Sequence, residues 1–326
     1  MGCCGSHSER GGLEVEEHQF VGQGTGDSKY GPKRNVHAGI TEEDTVEHKP
    51  SKDFAEPIDE FPNYPNEKIE AALKNFGEFL FFKEETLDDS LPFLGAHKIE
   101  EKGVYLGQWK NGVRSGRGKM IWVDGSQYEG HWNLNMMNGR GRLIKANGDV
   151  YEGEFYNDEP QGKGKLTQLD GIVFEGEFKD FKLHGKGVET RPDGSRYEGD
   201  FHEGLRSGKG VFTWPDGSKY TGDFLNNNLH GNGTYEWPEG KKKYVGDWQY
   251  NKMHGQGVFT WDDGREYNGA YYDDQKHGYG VFKWPDGKVY KGDWSHGKQH
   301  GRGIIIVDGE EKRGHWENGR KLKENY

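Results

Sequence analysis

The chain has 326 residues, a formal net charge of −11, 31% hydrophobic residues and a mean hydropathy of −1.08. This composition is too polar for a large globular core, and no segment approaches the ~18 apolar residues typical of a transmembrane helix. Residues 1–90 contain 9 Lys/Arg and 20 Asp/Glu, which gives −11, whereas residues 91–326 contain 35 of each and are neutral. Neither part is a broad cationic surface, so no nucleic-acid partner is expected.

An N-myristoylation pattern, M-G-x-x-x-S, covers residues 1–6. We predict a myristoyl chain on Gly2 and palmitoyl chains on Cys3 and Cys4, the only cysteines, whose adjacency excludes a disulfide framework and fits a reducing compartment. A single myristoyl chain binds membranes weakly, with K of about 10⁴ M⁻¹, and the acidic residues around Arg10 provide no basic second anchor. The prediction places the protein on the cytoplasmic face of a plasma or ciliary membrane or at the cell cortex. An unmodified N-terminus is the alternative.

Two segments precede the repeats. Residues 1–60 are rich in Gly, Glu, His, Lys and Ser without periodicity, which predicts a disordered tail. Residues 61–104 are predicted to form a cap that combines a helix with an initial strand. The helix, roughly residues 66–80, begins at Asn66 as its N-cap and carries apolar residues at helical spacing from Ile69 to Leu80. We interpret it as a lid over the first repeat, since repeat arrays need capped ends, with a membrane-surface helix as the alternative.

A repeat of 23 residues begins at Tyr105, with one step of 24 residues between Tyr220 and Tyr244. So regular a period indicates an array in which each unit contacts only its neighbours. We assign residues 105–320 to this array, as nine units and a terminal half-unit. The units open at Tyr105, Tyr128, Tyr151, Phe174, Tyr197, Tyr220, Tyr244, Tyr267 and Tyr290.

Each unit predicts a two-stranded antiparallel hairpin. In the unit that opens at Tyr197, positions 197, 199 and 201 alternate, as do positions 208, 210, 212 and 214, so each set shares one face of a strand. Asp216-Gly217 then supplies a hairpin turn. The shared face carries aromatic residues and glycines, and we interpret it as the core, because glycine lets a neighbouring ring approach the backbone; ligand binding is the alternative. One aromatic column is Trp109, Trp132, Phe155, Phe178, Phe201, Phe224, Trp248, Tyr271 and Trp294, and the other is Trp122, Trp214, Trp237, Trp261 and Trp284.

The opposite face is predicted to be charged. Acidic residues follow the opening aromatic residue of most units by three positions, and basic residues stand between paired glycines. Adjacent strands would bring the two rows together as ion pairs worth only ~0.2–1 kcal/mol each. We therefore interpret this face first as solvated and second as a binding surface. The acidic row is Glu154, Glu177, Asp200, Asp223, Asp247 and Asp293, and the basic row is Arg117, Arg140, Lys163, Lys186, Lys209 and Arg302.

The motifs Tyr-x-Gly-x-Trp/Phe, x-Gly-x-Gly and Trp-Pro-Asp-Gly, at this period, resemble the MORN (membrane occupation and recognition nexus) repeat over about residues 105–316. The chain is most similar to the MORN-only proteins of ciliates and other protists. This resemblance implies an all-β fold, in which antiparallel β-hairpins form an elongated array and a single twisted sheet. It also implies a role at membrane–cytoskeleton junctions, ciliary structures or the cell cortex. The repeat precedes a lipid-kinase domain in plants, but no kinase domain follows the repeats in this sequence.

The single 24-residue unit contains three consecutive lysines. Their charge makes them a candidate contact for an anionic lipid headgroup. A one-residue insertion in a solvated turn is the favoured interpretation. These residues are Lys241, Lys242 and Lys243.

The last unit differs from the others because an apolar run from Ile304 to Val307 replaces the alternation. A strand that is apolar on both faces needs cover on both faces. We therefore predict that Ile304 and Ile306, with Trp316, contact a second copy of the chain or another partner. A homodimer through the C-terminal repeats is one such arrangement.

No catalytic residue, metal site or cofactor is predicted. Several histidines occupy the same phase of different units, so neighbours should lie ~10 Å apart, which is too far for one Zn²⁺ with its nitrogen ligands at ~2.1 Å. We interpret them as turn residues. Carboxylates recur just as evenly and form no isolated catalytic pair. The histidines are His184, His230, His254, His277 and His300.

Three functions are compatible with these features. The favoured one is a non-catalytic, lipid-anchored scaffold that links a membrane to cortical or ciliary cytoskeletal proteins. The second is a module that binds phosphoinositides or other anionic lipids, and the neutral charge of the array argues against it. The third is a regulatory subunit of a lipid kinase or another enzyme, which the sequence does not distinguish from the first.

Overall fold

The computed structural model describes residues 57–59, 64–77, 79 and 90–323. The predicted acylation sites Gly2, Cys3 and Cys4 lie outside these residues, as does most of the predicted tail. The described part contains one α-helix, α1 (Glu67–Phe76), one 3₁₀ helix (Pro238–Gly240) and 21 strands in a single sheet. The strands are β1 (Phe93–Ile99), β2 (Gly103–Lys110), β3 (Val113–Trp122), β4 (Gln127–Asn133), β5 (Met136–Ile144), β6 (Val150–Tyr156), β7 (Glu159–Thr167), β8 (Val173–Lys179), β9 (Lys182–Thr190), β10 (Arg196–His202), β11 (Leu205–Thr213), β12 (Lys219–Leu225), β13 (Asn228–Glu236), β14 (Lys242–Gln249), β15 (Lys252–Trp261), β16 (Glu266–Tyr272), β17 (Gln275–Lys283), β18 (Val289–Ser295), β19 (Lys298–Val307), β20 (Glu310–Glu317) and β21 (Arg320–Lys321).

The sheet is an antiparallel meander. In the region that the structure describes, each strand pairs only with the strand before it and the strand after it in the chain. Each repeat contributes two strands, which confirms the prediction of an all-β array of hairpins. β1, which precedes the first repeat, pairs with β2.

Paired glycines set the register between neighbouring strands. Gly199 of β10 lies opposite Gly187 of β9 on one side and Gly210 of β11 on the other. The pairing of β10 with β11 then shifts by a β-bulge between Gly199 and Phe201, and this bulge recurs within the other hairpins of the array. A bulge bends and twists a strand, so its repetition imposes the same local geometry in every unit.

The opening tyrosine of each repeat explains why glycine stands at these positions. Tyr197 is fully buried, and its ring lies so close to the backbone that a Cβ on Gly210 would be 2.4 Å from it. Its hydroxyl donates a hydrogen bond of 2.9 Å to the carbonyl oxygen of Asp200. The same arrangement recurs with Tyr105, Tyr128, Tyr151, Tyr220, Tyr244, Tyr267 and Tyr290.

Aromatic rings form the core on the tyrosine side of the sheet, as predicted. The ring of Tyr197 meets those of Phe201 and Phe224 edge to face, with centroids 5.0 and 4.9 Å apart. Edge-to-face contacts of this kind add about 0.5–1.5 kcal/mol each to the area that the rings bury. The first aromatic column is buried throughout, and the second, which includes Trp214, is half-buried and packs against it.

α1 begins where the sequence predicts. The Asn66 side chain caps it by accepting hydrogen bonds from the backbone N–H groups of Lys68 and Ile69, at 3.1 and 3.4 Å. The helix ends at Phe76, before the predicted residue 80, because Gly77 adopts a φ of +64° and its N–H bonds the Leu73 carbonyl.

α1 contacts the first repeat, as predicted, through the hydrogen bond of 3.3 Å from the Asn66 amide to the Asp124 carbonyl oxygen, but it also extends over the second repeat. Its buried residues Ile69 and Ala72 pack on Ile144 and Val150, which belong to the second repeat. The amide of Asn66 also donates to the carbonyl oxygen of Ala146, at 3.1 Å. α1 therefore begins over the turns of the first and second repeats, and its apolar residues pack on the apolar pair of the second.

Candidate functional site

The sheet has two chemically different faces. We call the side that carries the tyrosines and paired glycines the aromatic face, and the other side the open face. Side chains alternate along a strand, so Glu198 and Asp200 of β10 and Lys209 and Val211 of β11 belong to the open face. The aromatic face is filled by its own rings, which leaves the open face as the candidate binding surface.

A groove with a volume of about 1190 Å³ crosses the open face from β8 to β14. We call it the open-face groove; it begins in the fourth repeat and ends in the first strand of the seventh. Its floor is the backbone of the paired glycines, whose missing side chains would point to the aromatic face. Two rows of side chains border the floor. The β-branched wall contains Val188, Val211, Thr221, Thr234 and Val245, with Glu175 and Glu198 in the same row toward β8, and the charged wall contains Lys186, Lys209, Asn232 and Asp247.

The charged wall contains the ion pairs that the sequence predicts. Lys186 Nζ lies 2.6 Å from Asp200 Oδ1, and Lys209 Nζ lies 2.6 Å from Asp223 Oδ1. The hydrogen bond from Lys186 lowers the pKa of Asp200, so this carboxylate is ionised at neutral pH. Both lysines are largely exposed, and each pair therefore contributes little to stability.

The acidic residues have a second contact that the sequence did not reveal. The other carboxylate oxygen of Asp200 accepts a hydrogen bond of 2.9 Å from the backbone N–H of Lys209, just after the bulge. A bulge leaves a backbone donor without a ladder partner, and a carboxylate is a strong acceptor for it. The same contact joins Gln108 to Arg117, Asp223 to Asn232, Asp247 to Gln256 and Asp293 to Arg302, at 2.7, 3.0, 2.8 and 3.1 Å.

The β-branched wall changes character along the array. In the second repeat the equivalent row is charged, with Arg142 Nη2 2.6 Å from Glu152 Oε1. From the fourth repeat onward Val and Thr replace most of these charges, and Val245 is 45% exposed. The prediction of a charged face is therefore wrong for most positions of this row, although Glu175 and Glu198 keep their charge and the row is exposed or half-buried.

The open face of the second repeat already binds another part of the same chain. Arg142 Nη1 donates a hydrogen bond of 2.7 Å to the carbonyl oxygen of Gly77, and its guanidinium lies 5.5 Å from the ring centroid of Phe79. Phe79 is only 7% exposed. Ile144, whose neighbour Leu143 is part of the aromatic core, contacts α1 from the open face. This face can thus hold a helix and the segment that follows it.

Two of the three lysines of the 24-residue unit form ion pairs within the chain. Lys241 Nζ lies 2.6 Å from Glu239 Oε2, and Lys243 Nζ lies 3.1 Å from Glu236 Oε1. Lys242 begins β14, directly after the 3₁₀ helix that absorbs the extra residue. The turn thus accommodates the insertion, and contact of Lys241, Lys242 and Lys243 with a lipid headgroup stays a prediction.

The C-terminal apolar residues fall on both faces. Ile304 and Ile306 are half-buried on the open face, the side of the sheet that also carries the open-face groove. Trp316 is 3% exposed and its ring lies 5.1 Å from that of Tyr290 on the aromatic face. The prediction that Trp316 contacts a partner does not fit this burial, because Trp316 extends the first aromatic column. Partner contact by Ile304 and Ile306 stays a prediction.

The histidines lie in strands, so their interpretation as turn residues is wrong. His184 in β9 faces His202 in β10, with ring centroids 5.0 Å apart, and His254 in β15 stacks on Tyr272. Among residues 57–59, 64–77, 79 and 90–323, no three His, Cys, Asp or Glu side chains are grouped in a way that could hold a metal ion. The helices described here are too short or too polar to cross a membrane.

Comparison with known proteins identifies the class. The MORN repeat model matches nine consecutive segments between residues 105 and 309, namely 105–127, 128–150, 151–172, 174–196, 197–219, 220–242, 244–264, 267–289 and 290–309. The chain therefore belongs to the MORN-repeat family. Repeats of this family are generally non-catalytic modules, and their presence suggests a membrane- or lipid-associated repeat scaffold. Comparison with curated protein sequences gives no match.

Solved structures that resemble this chain do so at low similarity. The TCP domain of Drosophila melanogaster SAS-4 (dCPAP), in complex with a proline-rich motif of Ana2, is 10% identical with a TM-score of 0.32, covering 55% of this chain and 90% of that one. The TCP10 domain of Danio rerio CPAP, in complex with a STIL peptide, is 16% identical with a TM-score of 0.23, covering 64% and 95%. A catalytically inactive virginiamycin B lyase from Staphylococcus aureus is 11% identical with a TM-score of 0.15, covering 72% and 87%. Scores this low carry no argument about function.

Proposed function

We propose that this protein is a non-catalytic scaffold that is anchored to a membrane by its acylated N-terminus and binds an extended protein segment in the open-face groove. The partners we expect are cortical or ciliary cytoskeletal proteins on the cytoplasmic side of that membrane. The groove is the observation that carries this proposal. Its walls differ in chemistry, one β-branched and one charged, so a bound segment would be held in one orientation.

The contacts of α1 support the proposal. The open face of the second repeat holds a segment of this chain through an apolar cluster, a carbonyl hydrogen bond and an arginine–aromatic contact. These are the contacts that a groove makes with a peptide: apolar anchors supply affinity and polar groups supply orientation. The fourth to seventh repeats present the same backbone with a more apolar wall.

The membrane anchor rests on the sequence pattern at Gly2, Cys3 and Cys4. Two or more acyl chains are needed for stable attachment, and this N-terminus offers three sites. A Gly2→Ala variant should shift from the membrane fraction to the soluble fraction of expressing cells. A variant that still sediments with membranes would contradict the anchor.

Two matched substitutions test the groove. Val245 lines it, whereas Val123, 55% exposed, lies in the turn between β3 and β4 at the end of the first repeat. Arginine at either position adds the same bulk and charge without entering the aromatic core. Val245→Arg should reduce the recovery of partner proteins in a quantitative affinity purification, and Val123→Arg should not. Equal recovery with both variants would argue against the groove as the binding surface.

The lipid-binding alternative has its own test. Full-length protein can be made in bacteria without acyl chains. If the partner segment binds in the groove, as proposed, this protein should bind vesicles that contain phosphatidylinositol bisphosphate no better than neutral vesicles. Headgroup-dependent binding that Lys241→Glu together with Lys243→Glu abolishes would favour the alternative. Co-purification of a lipid kinase or another enzyme, with a change in its activity, would instead indicate a regulatory subunit.

A further inference from the structure

The charged wall of the open-face groove is interrupted at its C-terminal end. Asp200 and Asp223 each have a lysine on the preceding strand as an ion-pair partner. Asn232 stands at the position of those lysines opposite Asp247 in the register of β13 and β14. Asp247 forms no ion pair with any residue in the region that the structure describes.

Asp247 is nevertheless held in a defined orientation. Its Oδ2 accepts a hydrogen bond of 2.8 Å from the backbone N–H of Gln256, and its Oδ1 accepts one from the side-chain amide of Asn232. Both donors are neutral, so the negative charge is not cancelled. An ionised carboxylate has about four lone-pair positions, and these two bonds leave room for another donor. The side chain is only half-buried and lines the groove.

The length of the groove sets the length of the segment that it can bind. It crosses seven strands, from β8 to β14, and neighbouring strands lie about 4.8 Å apart, so its length is about 29 Å. An extended chain advances about 3.1–3.4 Å per residue, which corresponds to about nine residues, or three per repeat. Asp247 lies at one end of this length, beside Val245.

From this arrangement we infer that the groove selects an extended protein segment of about nine residues. A lysine or arginine near one end of this segment pairs with Asp247. Its aliphatic side chains contact Val245 and Val211. The inference rests on the proposed function, since it specifies the partner of the same groove. It follows from charge complementarity: Asp200 and Asp223 pair with the protein's own lysines and Glu198 pairs with Arg196, whereas Asp247 at the β14 end has no basic partner among the described residues.

The test uses a random dodecapeptide phage library selected on the immobilised full-length chain. Clones that bind the native chain but not Val245→Arg define groove ligands, and their synthetic peptides are measured by fluorescence polarisation against two variants. Asp247→Asn removes the charge, while the asparagine Oδ1 can still accept the bond from Gln256. Asp293→Asn is the matched control, because Asp293 makes the same bulge contact, to Arg302, outside the groove.

The inference expects a shared basic residue near one end of the groove ligands. Their affinity should fall at least about tenfold with Asp247→Asn, as for a lost charged hydrogen bond, and stay within about twofold with Asp293→Asn. Replacing the basic residue of the peptide by glutamine should remove the effect of Asp247→Asn. Groove ligands without a basic residue, or insensitive to Asp247→Asn, would overturn this inference and leave the proposed function standing. Peptides that bind equally well to Val245→Arg would overturn both.

Discussion

A buried lysine in the eighth repeat offers a quantitative test of the aromatic core. Lys276 is 8% exposed, and its Nζ lies among the rings of Trp261, Tyr267, Phe282 and Trp294, at 5.3, 5.4, 4.7 and 5.0 Å from their centroids. No carboxylate among the described residues pairs with it. The second and seventh repeats carry a buried methionine at this position, so the surroundings are built for an apolar side chain.

The cost of this charge follows from its pKa. Burial, together with the positive charge of Arg265, lowers the pKa of Lys276 from 10.5 to about 8. At 1.36 kcal/mol per pKa unit, this corresponds to a penalty of about 3 kcal/mol on the charged form at neutral pH. The contacts of the cation with the rings offset part of it. We therefore expect Lys276→Met to raise the free energy of unfolding by about 2 kcal/mol at pH 7.

The effect should depend on pH with a definite sign. Below pH 8 the lysine is charged in the folded and unfolded chains, and the penalty is complete. Between pH 8 and pH 10.5 the folded chain binds fewer protons than the unfolded chain, so the native protein gains stability as pH rises. The advantage of Lys276→Met should therefore shrink over this window.

The assay is urea unfolding of both chains, followed by tryptophan fluorescence, at pH 7 and at pH 10. Lys298→Met, at an exposed position, should change stability by no more than about 0.5 kcal/mol and serves as the control. A Lys276→Met chain that is less stable than the native chain at pH 7 would contradict the predicted cost of burying this charge. So would a difference in the free energy of unfolding that is the same at both pH values.

Three further outcomes are expected. Gly210→Ala should destabilise the array by about 3 kcal/mol in urea unfolding, because a Cβ would collide with a buried ring. Gly95→Ala is the control and should be nearly neutral, because the space around Gly95 is open. Similar effects of the two substitutions would contradict the packing of the ring on glycine. Asn66→Ala removes the helix cap and the hydrogen bonds of this side chain to the turns below, at a cost of about 2 kcal/mol. It should speed hydrogen exchange of residues 64–77 but not of the array. Unchanged exchange would show that these hydrogen bonds do not hold α1 in place. Ile304→Lys combined with Ile306→Lys should weaken self-association in analytical ultracentrifugation, and an unchanged assembly state would remove the case for a C-terminal interface.

Much of the fold could be predicted because it follows from local rules. A period of 23 residues, alternation within each strand and a glycine-containing turn are sufficient to predict the hairpins. Burial of the first aromatic column follows from the same alternation: Phe201 shares a face with Tyr197 and Gly199 because each is two residues from the next. The start of α1 is equally local, since Asn66 caps its own helix.

The remaining features depend on contacts between distant parts of the chain. Nothing in the spacing of Asp200 and Lys209 indicates that the carboxylate accepts the backbone N–H, because that requires the bulge between them. The site of α1 depends on Ile144, an apolar residue at a strand position that is polar in most repeats. The β-branched wall was missed because Val188 and Val211 look like ordinary strand residues until the sheet shows which row borders the groove.

The central claim is that the open-face groove holds a partner segment, and photo-crosslinking from inside the groove tests it most directly. Benzoylphenylalanine at Thr221, on the β-branched wall, is compared with the same group at Asp286, in an exposed turn of the eighth repeat. We predict that Thr221 forms a crosslink to one continuous segment of a partner protein, that Val245→Arg abolishes it, and that Asp286 forms none. Crosslinks from Asp286 alone, or crosslinks from Thr221 that persist with Val245→Arg, would contradict the account.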